Sequence, residues 1–573
     1  MLGHLNFAGI LNKLGWLRLS VALLLLLIPE PAAAYRVIGI EERQDLTSEF
    51  GWRDSLAEVQ RLLREFGLYR GPTDGRLNEQ TRAAIDKYRQ RNGVIDEETI
   101  WPSVVFHMRA ISEAVRMQKS LKAARLRQIE EAKSRLETHA AGRDLVVRTR
   151  QRETADPTHD SSVCFAAPTL ECLLEEARES IRGISQDRYR NWALQDLIGV
   201  MAGAGLVEPM KAAVRSLTDA RLILVSLREA VTSMALAGRM TEAEETVALM
   251  PDGPDRTRAL LAMIKGWLKK GEKGAARELL ERLRKELEHN GNREDSLRFE
   301  AKAAHVFAEA GEIGQTRAIL ADLSQGLDGL TETAKSEVLS DLTVAYARIG
   351  ETDTAAAFVN QIERSADIRK SRMALASAYA DAQLVERVFQ TVERMPVARY
   401  RVVALCDAAR RFIERDNFTE GRRALDQALK DTALVEGEFA TDFAWACVAE
   451  VFGLLGDNDK AQEAVGNING KDMKARTLWR LAQLPSNVGS SAGAFLEEAA
   501  VLATEATDTF KRVAIWCEAA TEADKRGESD LARERINRAI GIVASMKTRW
   551  WRARAISRIG AAFVVLETAA TRR

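Results

Sequence analysis

From about residue 172 onward, apolar residues recur at a helical period, in stretches punctuated by single glycines. Each stretch reads as a helix, a glycine turn and a second helix. RNWALQDLIGVMAGAGLVEPMKAAVRSL from Arg190, LILVSLREAVTSMALAGRMTEAEETVALM from Leu222 and RTRALLAMIKGWLKKGEKGAARELLERL from Arg256 are three copies of one unit. Gly205, Gly238 and Gly271 stand 33 residues apart by difference of their numbers, and Gly311 and Gly350 follow at 40 and 39. Gly456 and Gly527 keep the pattern, while Gln383 and Asp416 stand where two further units would carry glycine. A single helix pair cannot bury its apolar face alone, so neighbouring pairs must stack. The prediction is an all-α chain whose bulk, 164–570, is a right-handed α-solenoid of helix–turn–helix units.

Upstream the pattern changes. Leu56, Val59, Leu62, Leu63 and Phe66 fall on one face of a helix from Trp52 to Phe66. Gly71-Pro72 and Asp74-Gly75 mark turns between Gly67 and Gly75. A second helix follows from Asn78 to Arg91, with Thr81, Ala84, Ile85 and Tyr88 inward, and a third from about Asp96 to Phe106. These make a small three-helix domain over 52–106. From 108 to 153 the chain is charged and free of glycine and proline except Gly142, which predicts one long helix as a linker. Arg109 to Glu153 holds twelve basic and six acidic residues. One apolar seam runs through Ala114, Met117, Leu121 and Ala124, another through Ile129, Ala132, Leu136 and Ala140. The two seams slip by one residue from a strict heptad, so a coiled coil competes with a solvated spacer. Thr154 to Ser162 reads as a loop and a domain boundary.

Charge and composition narrow the function. Lys+Arg and Asp+Glu both number 83 among 573 residues, so no global field points to nucleic acid or to an anionic membrane. Cys164 and Cys172 flank a short proline-containing loop and are a disulfide candidate in an oxidising compartment. Cys406, Cys447 and Cys517 stand singly in apolar helical runs, as small buried hydrophobes do. The six histidines are scattered, with no spacing that would hold a metal. No glycine-rich phosphate loop and no nucleophile beside a base is apparent, so no cofactor, metal or catalytic residue is expected and the chain reads as a non-enzyme.

The N-terminus carries Lys13 and Arg18, then the apolar run Val21 to Ile28, two prolines and Ala32-Ala33-Ala34. This is the layout of a secretory signal over 1–34, with cleavage between Ala34 and Tyr35. The rival reading is an uncleaved inner-membrane anchor facing the periplasm. No cysteine follows the run to carry a lipid, and no later segment is apolar enough to span a bilayer.

Residues 59–94, VQRLLREFGLYRGPTDGRLNEQTRAAIDKYRQRNGV, carry a more specific signal. Val59-Gln60, Leu62-Leu63, Gly67, Tyr69, Gly71, Asp74-Gly75, Thr81, Ala84-Ile85, Tyr88 and Gly93 match a family pattern. The stretch resembles the small helical peptidoglycan-binding domain of cell-wall proteins. The resemblance implies wall contacts on an exposed surface around Tyr69, Arg70, Asp74, Arg76 and Arg89, where arginine donors would suit stem-peptide carboxylates. Arg89 departs from the family's usual glutamine, and VIDEET replaces a second turn.

The repeats resemble a degenerate tetratricopeptide array, with a small residue before the turn and alanine early in the second helix, as in AEAGEIGQTRAIL and KRGESDLARERI. That resemblance implies protein or peptide partners. The recurring Arg190, Arg256, Arg372 and Arg401 read as links between units rather than a ligand ladder. Trp550-Trp551 reads as a seal at the end of the stack. Together these features describe a periplasmic adaptor that binds peptidoglycan and recruits envelope proteins. A protein scaffold with a vestigial wall module and a wall hydrolase with an unrecognised site are the rivals.

Overall fold

The computed structural model describes residues 49–92, 102–146, 154–289, 293–323, 326–484, 490–506 and 508–570. The predicted signal segment and its expected Ala34–Tyr35 cleavage point lie outside them. The described residues are helical, without strands, and fall into two units, Met1–Glu130 and Glu131–Arg573. No described helix is long and apolar enough to cross a membrane.

The first unit is built on α1 (Glu49–Glu65), α2 (Glu79–Asn92) and the start of α3 (Pro102–Thr138). Val59, Leu62 and Leu63 of α1, Ala84, Ile85 and Tyr88 of α2, and Val105 and Met108 of α3 share one buried cluster. Glu58 binds Arg109 through two hydrogen bonds of 2.8 and 2.6 Å, and Ser112 Oγ donates to Glu65 at 3.0 Å, so α3 is clasped to α1. The sequence predicts a third helix ending near Phe106 and a separate linker helix from 108. From Pro102 onward the structure joins them into one, because nothing between Phe106 and Arg109 interrupts a helix, while 96–101 lie outside the described residues. It ends at Thr138, ahead of a short 3-10 turn at Arg143–Leu145.

The second unit opens with α4 (Ser162–Ala166) and α5 (Leu170–Arg182), then runs as a two-layer stack. One layer holds α6 (Asp187–Ala204), α8 (Ala220–Leu236), α10 (Pro254–Lys269), α12 (Arg293–Glu309), α14 (Glu332–Arg348), α16 (Ser365–Asp381), α18 (Ala398–Ile413), α20 (Glu438–Leu454), α22 (Lys471–Ala482), α24 (Thr509–Lys525) and α26 (Arg549–Ala570). Each packs on the next, and α26 packs on α6, so the layer closes into a ring. The other layer holds α7 (Val207–Arg215), α9 (Met240–Val247), α11 (Lys273–His289), α13 (Ile313–Leu323), α15 (Thr352–Val359), α17 (Val385–Glu393), α19 (Phe418–Thr432), α21 (Asn458–Gly466), α23 (Ser490–Glu505) and α25 (Ser529–Ala544), each paired with the helix before it. The eleventh member of that layer is α5, which pairs with α26. Successive helices of this second layer pack little on one another. With equal numbers in both layers, the closely spaced one must have the smaller radius, so α6 to α26 form the inner wall. The solenoid is therefore closed by its two chain ends.

Unit length is set in the outer layer. Where the turns stand 33 residues apart, the outer helix is short, as α9 and α15 are at 8 residues. Where they stand 40 apart, α11 has 17 residues and α19 has 15. The seven added residues amount to about two helical turns. Every turn between an inner helix and its outer partner that carries one of the repeat glycines has positive φ there, between 75° at Gly311 and 85° at Gly350. Gln383 and Asp416 hold the same conformation at φ 58° and 59°, the only non-glycine residues with positive φ among those described.

At the joint, Arg554 of α26 donates to Asp196 of α6 at 2.5 Å. Its guanidinium lies 5.2 to 5.9 Å from the rings of Phe510, Trp192, Trp550 and Trp551. Tyr189 stacks on Trp550 at 4.7 Å. The Trp550-Trp551 pair thus seals a seam, since this stack has no free end to cap. Similar ion pairs cross the inner wall at Arg228–Asp255, Lys265–Glu309, His305–Asp341, Lys370–Asp341, Arg411–Asp381, Arg410–Glu450, Arg480–Glu450, Arg476–Glu518 and Arg558–Glu518. With Arg554–Asp196 they span ten of the eleven junctions, and at α6–α8 Ser233 Oγ donates to Gly199 O at 3.5 Å. Three of the recurring arginines work between layers. Arg256 donates to Val247 O, Arg401 to Met395 O and Arg372 to Arg394 O, each at the end of an outer helix, where the regular helical hydrogen bonding runs out. Arg190 is buried.

Residues before α4 belong to the same packing. Ala132, Leu136 and Leu145 join the buried cluster of the ring, and His139 Nε2 meets Ala248 O at 2.9 Å. Cys164 and Cys172 form a disulfide with Cα atoms 5.7 Å apart, at the entry to α5.

Candidate functional site

The turn between α1 and α2 is ordered by one buried side chain. Gln60 is 0% exposed. Its Oε1 accepts from Gly75 N at 2.9 Å, and its Nε2 donates to Arg76 O at 2.9 Å and to Thr81 Oγ1 at 3.1 Å. A primary amide is the side chain that can accept from one backbone group and donate to another across the same turn. Gly75 has φ 68°, and a Cβ there would stand 2.3 Å from Arg53 O, so the turn also needs glycine for its close approach to α1. Asn78 closes the arrangement, with Oδ1 accepting from Thr81 N at 2.8 Å as the cap of α2.

The exposed face of this turn carries Arg70, Asp74 and Arg76. Asp74 Oδ1 accepts from Arg76 N at 3.0 Å and from Gln60 Nε2 at 3.4 Å. The backbone bond from Arg76, aided by Gln60, holds the Asp74 carboxyl below the usual range. Arg64 donates to Gly71 O beside them. Two of the sequence-derived residues sit elsewhere. Tyr69 is 3% exposed, with its ring in the core and its hydroxyl donating to Pro72 O at 2.8 Å. An exposed aromatic is therefore corrected to a buried one: the chain reverses at Gly67 (φ 72°) and turns the ring inward. Arg89 is half-buried on α2, ten residues and about 15 Å beyond the start of that helix. Arg70, Asp74 and Arg76 are all exposed on the turn, and Tyr69 supports it from beneath.

Gln60 was present in the sequence as the second letter of a matched dipeptide, but period alone marks it only as one more position on the inner face of α1. Behind the turn, Tyr88 and His107 meet at 2.9 Å between the hydroxyl and Nδ1. Burial raises the Tyr88 phenol and lowers the His107 imidazole, so both are neutral near pH 7. The turn offers guanidinium and backbone donors on a fixed frame, chemistry suited to carboxylates and hydroxyls. In the ring, a cavity of about 370 Å³ opens where α11 is long, between α10, α11 and α12, with an apolar floor of Leu283, Leu287 and Phe299 and a rim of Arg256, Arg298 and Lys302.

The family described as "Putative peptidoglycan binding domain" matches residues 53–96, the segment that runs from within α1 through the turn and α2. No curated protein matches the chain.

Proposed function

We propose that this protein is an exported, non-catalytic component of the bacterial envelope that docks on peptidoglycan and holds partner proteins on its helical ring. The match over 53–96, falling on a rigid turn that presents Arg70 and Arg76, carries the reading. The signal-like segment at 1–34 and the Cys164–Cys172 disulfide agree with a periplasmic location. A tetratricopeptide-like ring supplies the recruiting surface. The mechanism is colocalisation: weak binding at the wall raises the effective concentration of whatever the ring carries.

Co-sedimentation of the full chain with isolated sacculi tests the wall half of this proposal. The expected result is sedimentation of the wild type and loss of most of it in an Arg70→Ala/Arg76→Ala double variant that keeps its helical spectrum. Equal sedimentation of the two would move the contact off this turn. Absence of sedimentation by the wild type would leave a scaffold whose partners are proteins alone.

A further inference from the structure

The middle of α3 is bare. From Arg116 to Gln128 every side chain is exposed except Ala124, which is partly covered. The same thirteen positions hold Arg116, Lys119, Lys122, Arg125 and Arg127 and no acidic residue, in a chain whose net charge is zero. Arg116 reaches Ser112 and Glu65, but Lys119, Lys122 and Arg127 meet no hydrogen-bonding or ionic partner among the described residues. At 100° per residue, the five cations cover about 200° of the helix circumference. The remaining arc carries Ala114, Met117, Leu121 and Ala124, of which Met117 is 54% and Leu121 61% exposed.

Three occupants compete for this surface. A second copy of the chain would set five positive charges against five, with alanine at half of the seam, so like-charge repulsion opposes the coiled coil that the heptad spacing suggests. A bilayer surface would want a broad apolar face to insert, and Met117 and Leu121 do not make one, since the third exposed apolar side chain, Leu126, lies about 140° round the helix from Leu121, among the cations. A polymer mesh bearing carboxylates at intervals fits better, because it can approach cations that point in several directions at once. The stretch also lies on the helix whose first turns, at Val105 and Met108, complete the core of the peptidoglycan-binding domain.

We propose that Arg116–Gln128 is a second, electrostatic contact to peptidoglycan, directed at the carboxylates of its stem peptides and acting beside the turn at Arg70–Arg76. It rests on the wall-binding reading above. The turn recognises; the helix adds multivalent, salt-sensitive attraction that raises the local concentration of the turn at the polymer.

The test compares the full chain with a Lys119→Gln/Lys122→Gln/Arg127→Gln variant on native sacculi, on sacculi whose carboxylates have been amidated, and on vesicles of anionic phospholipid. Ionic strength is varied from roughly 0.01 to 0.15 M, over which the screening length falls from about 30 to about 8 Å. The expected result is a wild-type affinity for native sacculi that drops about tenfold over that range, and a variant about tenfold weaker at low salt and nearly flat. Amidated sacculi should bring the wild type down to the variant. Coincident wild-type and variant curves on native sacculi at both salts would overturn the helix contact while leaving the turn intact. Failure of both proteins to bind sacculi at any salt would overturn the wall reading itself, and this inference with it. Vesicle binding that the variant loses, with sacculus binding unchanged, would reassign the stretch to lipid and overturn the proposal.

Discussion

The small domain around α1 and α2 and the ring of α5 to α26 hold their polar groups in opposite ways. In the first, one buried amide, Gln60, bonds both the Gly75 N–H and the Arg76 C=O of the turn. In the ring, ion pairs recur at one inner junction after another, from Arg228–Asp255 round to Arg554–Asp196. A structure that depends on a single buried polar group is rigid at that point and loses everything there when the group is removed. A structure that repeats a modest interaction around a circle tolerates the loss of any one, but not the loss of closure. The difference suits the division of labour proposed here, with a precise small recognition surface on one unit and a large stable platform in the other.

That contrast can be broken most severely at the joint. Deleting α26 re-exposes Leu173, Leu174 and Ile181 of α5 and removes Ile556 and Ile559, a loss on the order of 10 kcal/mol of apolar burial. The truncated chain should unfold over a broad, early thermal transition, whereas an unchanged midpoint would mean that the ring does not need its closing pair. Next comes Gln60→Ala, which strands the buried Gly75 N–H and leaves the partly buried Arg76 C=O without its amide donor, at a cost of about 2 kcal/mol. Hydrogen exchange should rise at residues 74–76, and sacculus binding should fall with it, while the ring's transition stays in place.

Arg554→Met probes a single junction. The arginine side chain is 8% exposed, but the Asp196 side chain keeps 36% of its surface, so the expected loss is about 2 kcal/mol rather than the full cost of splitting a buried pair. Asp196 itself is pushed up by burial and pulled down by Arg554, with burial prevailing. Asp416→Gly should act in the other direction. Relieving a left-handed aspartate gains about 1 kcal/mol, and the same change at Gln383 should gain less, because Gln383 also accepts from Asn417 at 2.7 Å. Urea midpoints of the two variants decide the order.

The smallest effect is a pH dependence at one inner junction. Burial pulls the His305 imidazolium down, but hydrogen bonds to Asp341 and Glu309 outweigh it and raise its pKa. Its contribution to stability is therefore complete below the unfolded value of about 6.5 and lost as pH rises through the higher folded value. Glu309 is held down to about 2, chiefly by His305, so its own share persists until strong acid. A His305→Gln variant should flatten the fall in stability above neutrality; an unaltered slope would remove His305 from the account.

Much of this architecture is legible along the chain. The repeat turns were readable even at Gln383 and Asp416, because the spacing placed them where the backbone must reverse, and both hold positive φ there. The face of α1 and α2 followed from period alone. Closure was not readable. A repeat pattern reports how each unit meets its neighbour, and nothing in a local period says that 170–182 must pair with 549–570. Tyr69 misled for a related reason: a tyrosine among turn residues looks exposed until the geometry at Gly67 is known. Gln60 was hidden because a buried amide and an apolar side chain occupy the same phase of a helix.

The pairing of α5 with α26 has a consequence in time. Leu170 and Arg549 are 379 residues apart by difference of their numbers. At a synthesis rate of about 5–20 residues per second, α5 waits roughly 20–75 seconds for its partner to be made. Throughout that interval the nascent ring is an open arc with an apolar edge at each end, one at α5 and one at the last helix made. A single early helix thus makes the last one obligatory, and the protein's exposure to aggregation or to a chaperone is set by how long its chain takes to come full circle.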